Sequence, residues 1–350
     1  MSGRVIFLLI MSKSMLNTVP EPKKRVPVVV GIVENNLGRV LVTKRRPDAH
    51  LGGLWEFPGG KVEAGESDFV ALQRELFEEI NIHVERAVPF MQREQAYSDR
   101  VVSLRIYRIL AWQGSVKPLE GQPMQWVDPS ALSLLEFPSA NVAICKRLQL
   151  PRKILMTPDL PPSTDINQFL AWLSIQLEAM PKIETMPKSF VIWRAPRFSE
   201  AQYLEWGKAL RQKVEHAGYV LVAHPTPHRA ALLGCNAVHL SSAVLKEAWI
   251  QSDFLLKETL QWCGASCHNQ SELEKAQALN CDYVTLSPVL DTKSHPNATI
   301  LGWDRLQELT QQTFVPVYAL GGQSDRTLSA ALDAGAFGVA GISGLWPKIF

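Results

Sequence analysis

The sequence predicts two domains, an α+β unit followed by a small α/β barrel of the (β/α)8 type. Three observations carry this. A chain of 350 residues exceeds the usual span of one domain. Up to about residue 150, strand-like runs and long loops surround one strongly charged helix. Beyond it, eight short apolar runs alternate mostly with helical segments, as in a parallel sheet buried on both faces. The expected boundaries are a flexible tail over 1–25, a first domain over 26–150 and the barrel over 151–350.

At the N-terminus, "VIFLLIM" (5–11) follows Arg4. The run is too short to span a membrane, and no small-residue cleavage site follows it. It reads as part of a tail, or as the product of a start codon set too early, with Met11 or Met15 as the true start. "VPVVVGIV" (27–34) and "GRVLVTKR" (38–45) read as strands joined at Asn35-Asn36. A loop leads to a helix over 67–79, then strands over 84–95, 101–112 and 124–127 and a helix over 139–148. In the barrel, "KILMT" precedes a helix over 165–178 and "SFVIWRA" one over 199–216. "YVLVAH", "NAVHL", "QWCGASC", "CDYVTLSPV", "VPVYAL" and "FGVAGIS" complete the eight. A full set implies a barrel with its own core.

Composition narrows the class. Hydrophobic content of 46% with 20% charged residues is that of a globular chain. A net charge of +2 without a long basic run argues against direct nucleic-acid binding. Cys145, Cys235, Cys263, Cys267 and Cys281 form no CxxC pair, so reduced thiols in the cytoplasm are expected, with no membrane partner.

The charged helix poses a chemical question. Ser67 is a suitable N-cap, and Phe69, Val70, Leu72 and Leu76 supply apolar anchors. Glu75, Glu78 and Glu79 stand at i, i+3 and i+4, on one face. They lie toward the helix C-terminus, where the macrodipole disfavours negative charge. Mutual repulsion and an adverse dipole at one place call for a cation. Hard oxygen donors suit Mg²⁺ or Mn²⁺; a solvated face paired with distant lysines is the alternative.

The wider string "GKVEAGESDFVALQRELFEEINI" (60–82) resembles the signature of the Nudix hydrolases, matching at Gly60, Glu66, Arg74, Glu75, Leu76, Glu78, Glu79 and Ile82. Asn81 replaces a glycine, and asparagine is the next best residue for a left-handed backbone. The resemblance implies a mixed sheet between helices, with Glu75, Glu78, Glu79 and Gly59 at the metals. Glu66 and Arg74 would brace the loop–helix–loop. The reaction implied is metal-assisted attack of water on a nucleoside diphosphate linked to another group.

Residues 27–148 are similar to the MutT branch of that family, which hydrolyses 8-oxo-dGTP. The similarity runs through "VTKRRPDAHLGGLWEFPGGKVEAGE", "EGQPMQWV" and "FPSAN". It implies that Arg45 and Asn141 contact the oxidised guanine, and that Glu120 adds a metal or base contact. Tyr97 would line the base pocket, with Asp99 and Arg100 in the adjoining loop, although Val101 replaces a histidine there. Glu56 and Phe57 would border the pocket. His50 would reach it or only fix the loop. Asn141 could instead cap its helix, and Tyr97 could be an ordinary strand residue.

The barrel resembles thiamine-phosphate synthase and its relatives, through "VIWRA", "AVHL", "GASCHNQSELEKA", "CDYVTLSPV", "VPVYALGGQ" and "GAFGVAGIS". The likeness implies a TIM-barrel phosphate site at Gly321, Gly322, Ser343 and Gly344, with Arg194 retained from the second-strand motif. The departures concern the acidic groups. His224-Pro225 stands where the family has Asn-Asp, "SSAVL" lacks the family's Gln and Asp, and "DTKSHP" keeps the pyrophosphate loop in part. Ser287-Pro288 stands where a thiazole tautomerase would carry histidine. A non-synthase domain binding a thiamine-related phosphate is expected. The leading expectation for the chain is Mg²⁺-dependent hydrolysis of oxidised purine nucleoside triphosphates. Hydrolysis of thiamine diphosphate or its damaged analogues, and a non-catalytic thiamine-phosphate sensor, are the alternatives.

Overall fold

The computed structural model describes residues 24–48, 51–97, 99–180, 189–251, 260–292, 298–347 and 350. The "VIFLLIM" run and His50 lie outside these residues. The first domain holds β1 (Lys24–Ile32), β2 (Val40–Lys44), β3 (Trp55–Glu56), β4 (Gly59–Lys61), α1 (Asp68–Ile80), β5 (Ile82–Ala96), β6 (Arg100–Gly114), β7 (Met124–Val127) and α2 (Ser139–Leu148). A mixed sheet has the order β4-β1-β6-β5, and a second sheet the order β3-β2-β7. The long β1 runs parallel to β6 from Lys24↔Arg100 to Ile32↔Arg108, so this strand includes Lys24 and Arg25, which the expected boundary assigns to the tail. Between β1 and β2, the Asn35 side chain accepts from the backbone N–H groups of Leu37 (2.9 Å) and Arg39 (3.1 Å). This is the side-chain turn that makes asparagine a turn residue.

Helix α1 starts as its sequence implies, with the Ser67 hydroxyl accepting from the Val70 N–H. It ends at Asn81, whose φ of 59° is left-handed. The anchors differ from expectation. Ala71, Leu72, Leu76 and Ile80 are buried, whereas Phe69 and Val70 are exposed. Leu72, Leu76 and Ile80 recur every four residues and form the covered stripe, from which Val70 points well away.

The barrel closes from β8 (Lys153–Met156), β9 (Phe190–Trp193), β10 (Val220–Ala223), β11 (Ala237–Leu240), β12 (Trp262–Cys267), β13 (Tyr283–Leu286), β14 (Val317–Ala319) and β15 (Gly338–Gly341). Every adjacent pair is parallel. Around it run α3 (Ile166–Ala179), α4 (Glu200–His216), α5 (Pro227–Leu233), α6 (Ser242–Gln251), α7 (Gln270–Ala278), α8 (Gly302–Thr310) and α9 (Leu328–Asp333). All five cysteines are free and buried. No helix among the described residues is long and apolar enough to cross a membrane.

The barrel's core is only partly its own, which corrects the expectation of an independent one. The shell between strands and helices belongs to the barrel. Its interior, with Phe190, Trp262, Tyr283, Tyr318 and Phe337, is continuous with Val30, Phe90, Ile106, Ile144 and Leu148 of the first domain. Phe190, Trp262 and Tyr283 open their strands and Phe337 immediately precedes β15, so the first domain covers the N-terminal face of the barrel. Phe90 stacks on Phe337 at 5.7 Å. Arg108 donates to the Ala336 carbonyl at 3.0 Å, and Arg152 grips both the Glu34 carboxylate and the Phe337 carbonyl. The barrel's C-terminal mouth therefore opens on the face away from the first domain.

Candidate active site

Two glycines let the metal-type helix approach the sheet. Gly59 has a φ of 144°, and a Cβ there would lie 2.2 Å from the Val29 carbonyl oxygen. A Cβ on Gly60 would lie 2.2 Å from Glu75 Oε2. Freed of side chains, the loop lets the Gly59 N–H donate to Glu79 Oε2 at 3.1 Å. The other end of Glu79 is also held: its carbonyl accepts from the Leu119 N–H at 3.0 Å and from Gln122 Nε2 at 2.9 Å.

Arg74 organises the rest. Its Nε and one terminal nitrogen form a fork on Glu66, at 2.9 and 3.0 Å. That nitrogen also reaches the Lys61 carbonyl at 3.0 Å, while the other terminal nitrogen bonds Glu75 at 2.9 Å and Glu78 at 3.4 Å. The Arg74 guanidinium, assisted by the Glu63 N–H, holds the Glu66 carboxyl down at about 2. These hydrogen bonds tie loop to helix. Glu75, Glu78 and Glu79 do not share one environment. Arg74 draws Glu75 and the exposed Glu78 to one side, and Gly59 holds Glu79 on the other. Among the described residues, no three acidic or metal-ligating side chains are gathered closely enough to hold an ion.

The electrostatics nonetheless fit a cation. Burial, then the like charges of Glu56, Glu75 and Glu120, push the Glu79 carboxyl up to about 8, against the lowering effect of the Gly59 N–H. Burial also raises Glu75, with Glu78 and Glu66 adding to it, although Arg74 opposes the shift. Glu56 is raised by burial against its ion pair with Arg45. Arg74 pairs with Glu75 and Arg45 with Glu56, whereas Glu79 accepts from the Gly59 N–H with no cationic side chain beside it among the described residues; a hard oxygen donor so placed suits a divalent cation.

The base-side residues divide. Phe57 stacks on Phe137 at 5.5 Å, and the Trp55 N–H donates to the Glu136 carbonyl at 2.9 Å. These contacts bind the approach to α2 against β3, beside the Arg45–Glu56 pair. Asn141 stands in the first turn of α2, half-buried, and its side-chain amide has no partner among the described residues. It is Pro138, not Asn141, that occupies the cap position. Tyr97 and Arg100 lie at the β5–β6 hairpin tip. Val30 pairs with both Gly59 and Ile106, and six residues of strand, about 20 Å, separate Ile106 from Arg100. The fold thus places the tip well along the sheet from the carboxylates.

In the barrel, Arg194, Gly321, Gly322, Ser343 and Gly344 follow β9, β14 and β15 at one mouth. Gly321 and Gly322 have φ of 93° and 66°, and side chains there would strike Pro288 and the Asp291 carbonyl. Ser241, opening "SSAVL", accepts from the Val244 N–H at the start of α6. Of "DTKSHP", residues 293–297 lie outside the described set. His224, which with Pro225 stands where the resemblance implies Asn-Asp, sits near Arg194 and Arg229; burial, then those cations, pull its imidazole down to about 3. Sequence reasoning passed over His239. It is fully buried, with Nε2 2.9 Å from Ser266 Oγ and Nδ1 3.2 Å from Tyr283 Oη.

Burial, reinforced by His224, holds the His239 imidazole down at about 3. This carries a pH prediction. Above pH 6.5 neither folded nor unfolded His239 binds a proton. Below it the unfolded chain gains one that the folded chain refuses until about pH 3. Stability should fall with pH through this window, by about 1.4 kcal/mol per unit for this group. Urea midpoints at pH 7, 5.5 and 4.5 should drop less steeply in His239→Gln. An unchanged slope would show that His239 is protonated in the fold.

Fold and glutamate-bearing helix together define a hydrolase-type α+β domain joined to a closed eight-stranded parallel barrel. Residues 28–147 match the family described as "NUDIX domain", and residues 170–345 match "Thiamine monophosphate synthase". The chain belongs to the Nudix hydrolases through its first domain and to the thiamine monophosphate synthase family through its barrel. It is 35% identical to an 8-oxo-dGTP diphosphatase of Escherichia coli (strain K12) over 126 residues, 36% of this chain and 98% of that protein. A CTP pyrophosphohydrolase of the same strain is 33% identical over 121 residues, 35% of this chain and 87% of that protein. A putative thiamine-phosphate synthase of Geobacter sulfurreducens (strain ATCC 51573 / DSM 12127 / PCA) is 32% identical over 143 residues, 41% of this chain and 66% of that protein. These relationships support pyrophosphohydrolase activity in the first domain.

Proposed function

We propose that the first domain hydrolyses 8-oxo-dGTP and related oxidised purine nucleoside triphosphates to the monophosphate and pyrophosphate. The setting would be cytoplasmic sanitation of the nucleotide pool, in support of DNA replication and repair. The observation that carries the reading is the match across 98% of a curated 8-oxo-dGTP diphosphatase, joined to an Asn141 amide that has no partner among the described residues. Glu75, Glu78 and Glu79, with Glu120 and the Gly59 backbone, are the groups to hold Mg²⁺, with Mn²⁺ as an alternative occupant. Such a cation, when bound, neutralises charge on the phosphate oxygens and activates water. Arg74 orients Glu75, and the Gly59 N–H orients Glu79. Asn141 offers both a donor and an acceptor to a purine edge. A base with the wrong edge leaves that amide unpaired, the kind of mismatch that discriminates strongly.

The barrel is read as a domain that binds a phosphate-bearing, thiamine-related ligand without synthase activity. The support is His224-Pro225 where the resemblance implies Asn-Asp, so that no carboxylate stands there, and "SSAVL", whose first serine caps a helix.

The test is a hydrolysis panel on the full chain with Mg²⁺, comparing 8-oxo-dGTP, dGTP, CTP and thiamine diphosphate. Preference for 8-oxo-dGTP is expected; preference for thiamine diphosphate or CTP would overturn the reading. On the same panel, Asn141→Ala should raise KM for 8-oxo-dGTP much more than for dGTP. An equal effect on both substrates would show that Asn141 carries no discrimination.

A further inference from the structure

Helix α2 joins the two domains. Its first turn carries Asn141, shortly after Phe137 of the Phe57–Phe137 stack, and its last turn is anchored in the barrel. Arg147 is 9% exposed. One terminal nitrogen donates to the carbonyls of Phe314 (3.1 Å) and Phe90 (3.3 Å), and the other to that of Cys281 (3.1 Å). No carboxylate shares in these bonds. All three acceptors are backbone groups: Phe90 lies in β5, and Cys281 and Phe314 lie just before β13 and β14. Next to it, Lys146 Nζ pairs with Asp282 Oδ1 at 3.1 Å and lies over the Trp262 ring at 4.7 Å. The other Asp282 oxygen accepts from the Cys263 N–H at 2.9 Å, so the carboxylate is itself fixed to β12. Ile144 and Leu148 bury the same helix in the shared core.

From this juxtaposition we infer that Arg147 and Lys146 are positioning residues for base recognition, through which the barrel sets where Asn141 stands. The inference rests on the reading of Asn141 given above. An α-helix is stiff over this distance: six residues separate Asn141 from Arg147, about 9 Å along the axis. A planar guanidinium bonded to three carbonyls on three segments fixes both direction and rotation of the helix end, as a single ammonium cannot. Discrimination by an amide needs placement within a few tenths of an ångström. The barrel thus contributes to nucleotide choice from its N-terminal face, without its own mouth taking part.

The experiment measures kcat/KM for 8-oxo-dGTP and for dGTP, with melting temperatures, on full-length wild type, Arg147→Lys, Asp282→Asn, Asn141→Ala and the Arg147→Lys/Asn141→Ala double variant. Arg147→Lys keeps the charge and loses the fork. Asp282→Asn acts from the barrel and touches no part of the nucleotide site. Each should lower the 8-oxo-dGTP:dGTP preference, by about 10-fold for Arg147→Lys, the scale of one misplaced hydrogen bond. In the double variant the loss should be no greater than in Asn141→Ala alone, because Arg147 acts through Asn141. A purely structural clamp would lower melting temperature and leave the preference unchanged. That outcome in both Arg147→Lys and Asp282→Asn, or a double-variant loss equal to the product of the single losses, overturns the inference. If Arg147→Lys fails to fold, the result in Asp282→Asn decides. A wild-type chain with no preference for 8-oxo-dGTP defeats the functional reading itself, and this inference with it. A selective wild type with equally selective variants defeats this inference alone.

Discussion

Glu79→Gln should lower kcat at least about 100-fold with the fold retained, the scale of deleting one electrostatic stabiliser from a preorganised site. Glu79 is the glutamate whose carboxyl is enclosed, held by the Gly59 N–H at 3.1 Å and crowded by Glu56, Glu75 and Glu120. Glutamine keeps the shape and can still accept from Gly59, but it removes the charge a cation would meet. Relieving repulsion among half-buried carboxylates should if anything stabilise the apo chain. The expected pair of results is therefore lost turnover at saturating Mg²⁺ and an undiminished melting temperature without metal. Wild-type turnover in this variant would remove the basis for metal-assisted hydrolysis at α1. Glu78→Gln should also lose turnover, although Glu78 lies exposed beside Arg74.

Gly60→Ala should lower kcat by about 10- to 100-fold, by displacing a charged group rather than deleting one. The added methyl would fall 2.2 Å from Glu75 Oε2, so the carboxylate must swing away. What it meets is the far end of a flexible side chain, so the fold should survive. Gly59→Ala is the contrast. There the methyl meets backbone at Val29, and φ is 144°, so strain should fall on the β1–β4 pairing itself. Melting curves and kcat for the two variants separate these effects. Gly60→Ala should lose activity at nearly wild-type melting temperature, and Gly59→Ala should lose both. Wild-type kcat in Gly60→Ala would show that the placement of Glu75 does not limit turnover.

Much of this was legible in the residues. Leu72 and Leu76 were legible as buried anchors of the helix, Ser67 as its start and Asn81 as its left-handed end, because capping and helical periodicity are local properties, whereas Phe69 and Val70, expected as anchors too, are exposed. Eight apolar runs between helices specified a closed parallel barrel, because strands buried on both faces leave no alternation to read. The spacing of Glu75, Glu78 and Glu79 placed three charges on one side of a helix. Their partners were not local. Only the folded loop shows that Arg74 takes Glu75 and Glu78 while Glu79 is enclosed under Gly59, since the distances depend on how β4 meets β1.

The relation between the domains was likewise outside the sequence's reach. Lys146 and Arg147 stand in the last turn of a helix, where any cation complements the dipole. Nothing in their spacing indicates that their acceptors would come from Phe90, Cys281, Asp282 and Phe314, in two domains. Local chemistry determined the family and the helix with its three glutamates. Tertiary structure decided which charges are paired, which are buried, and that one domain seals the N-terminal face of the other. The reason is physical: burial and pairing depend on surfaces brought together from residues more than 100 positions apart, and those surfaces exist only once both domains have folded.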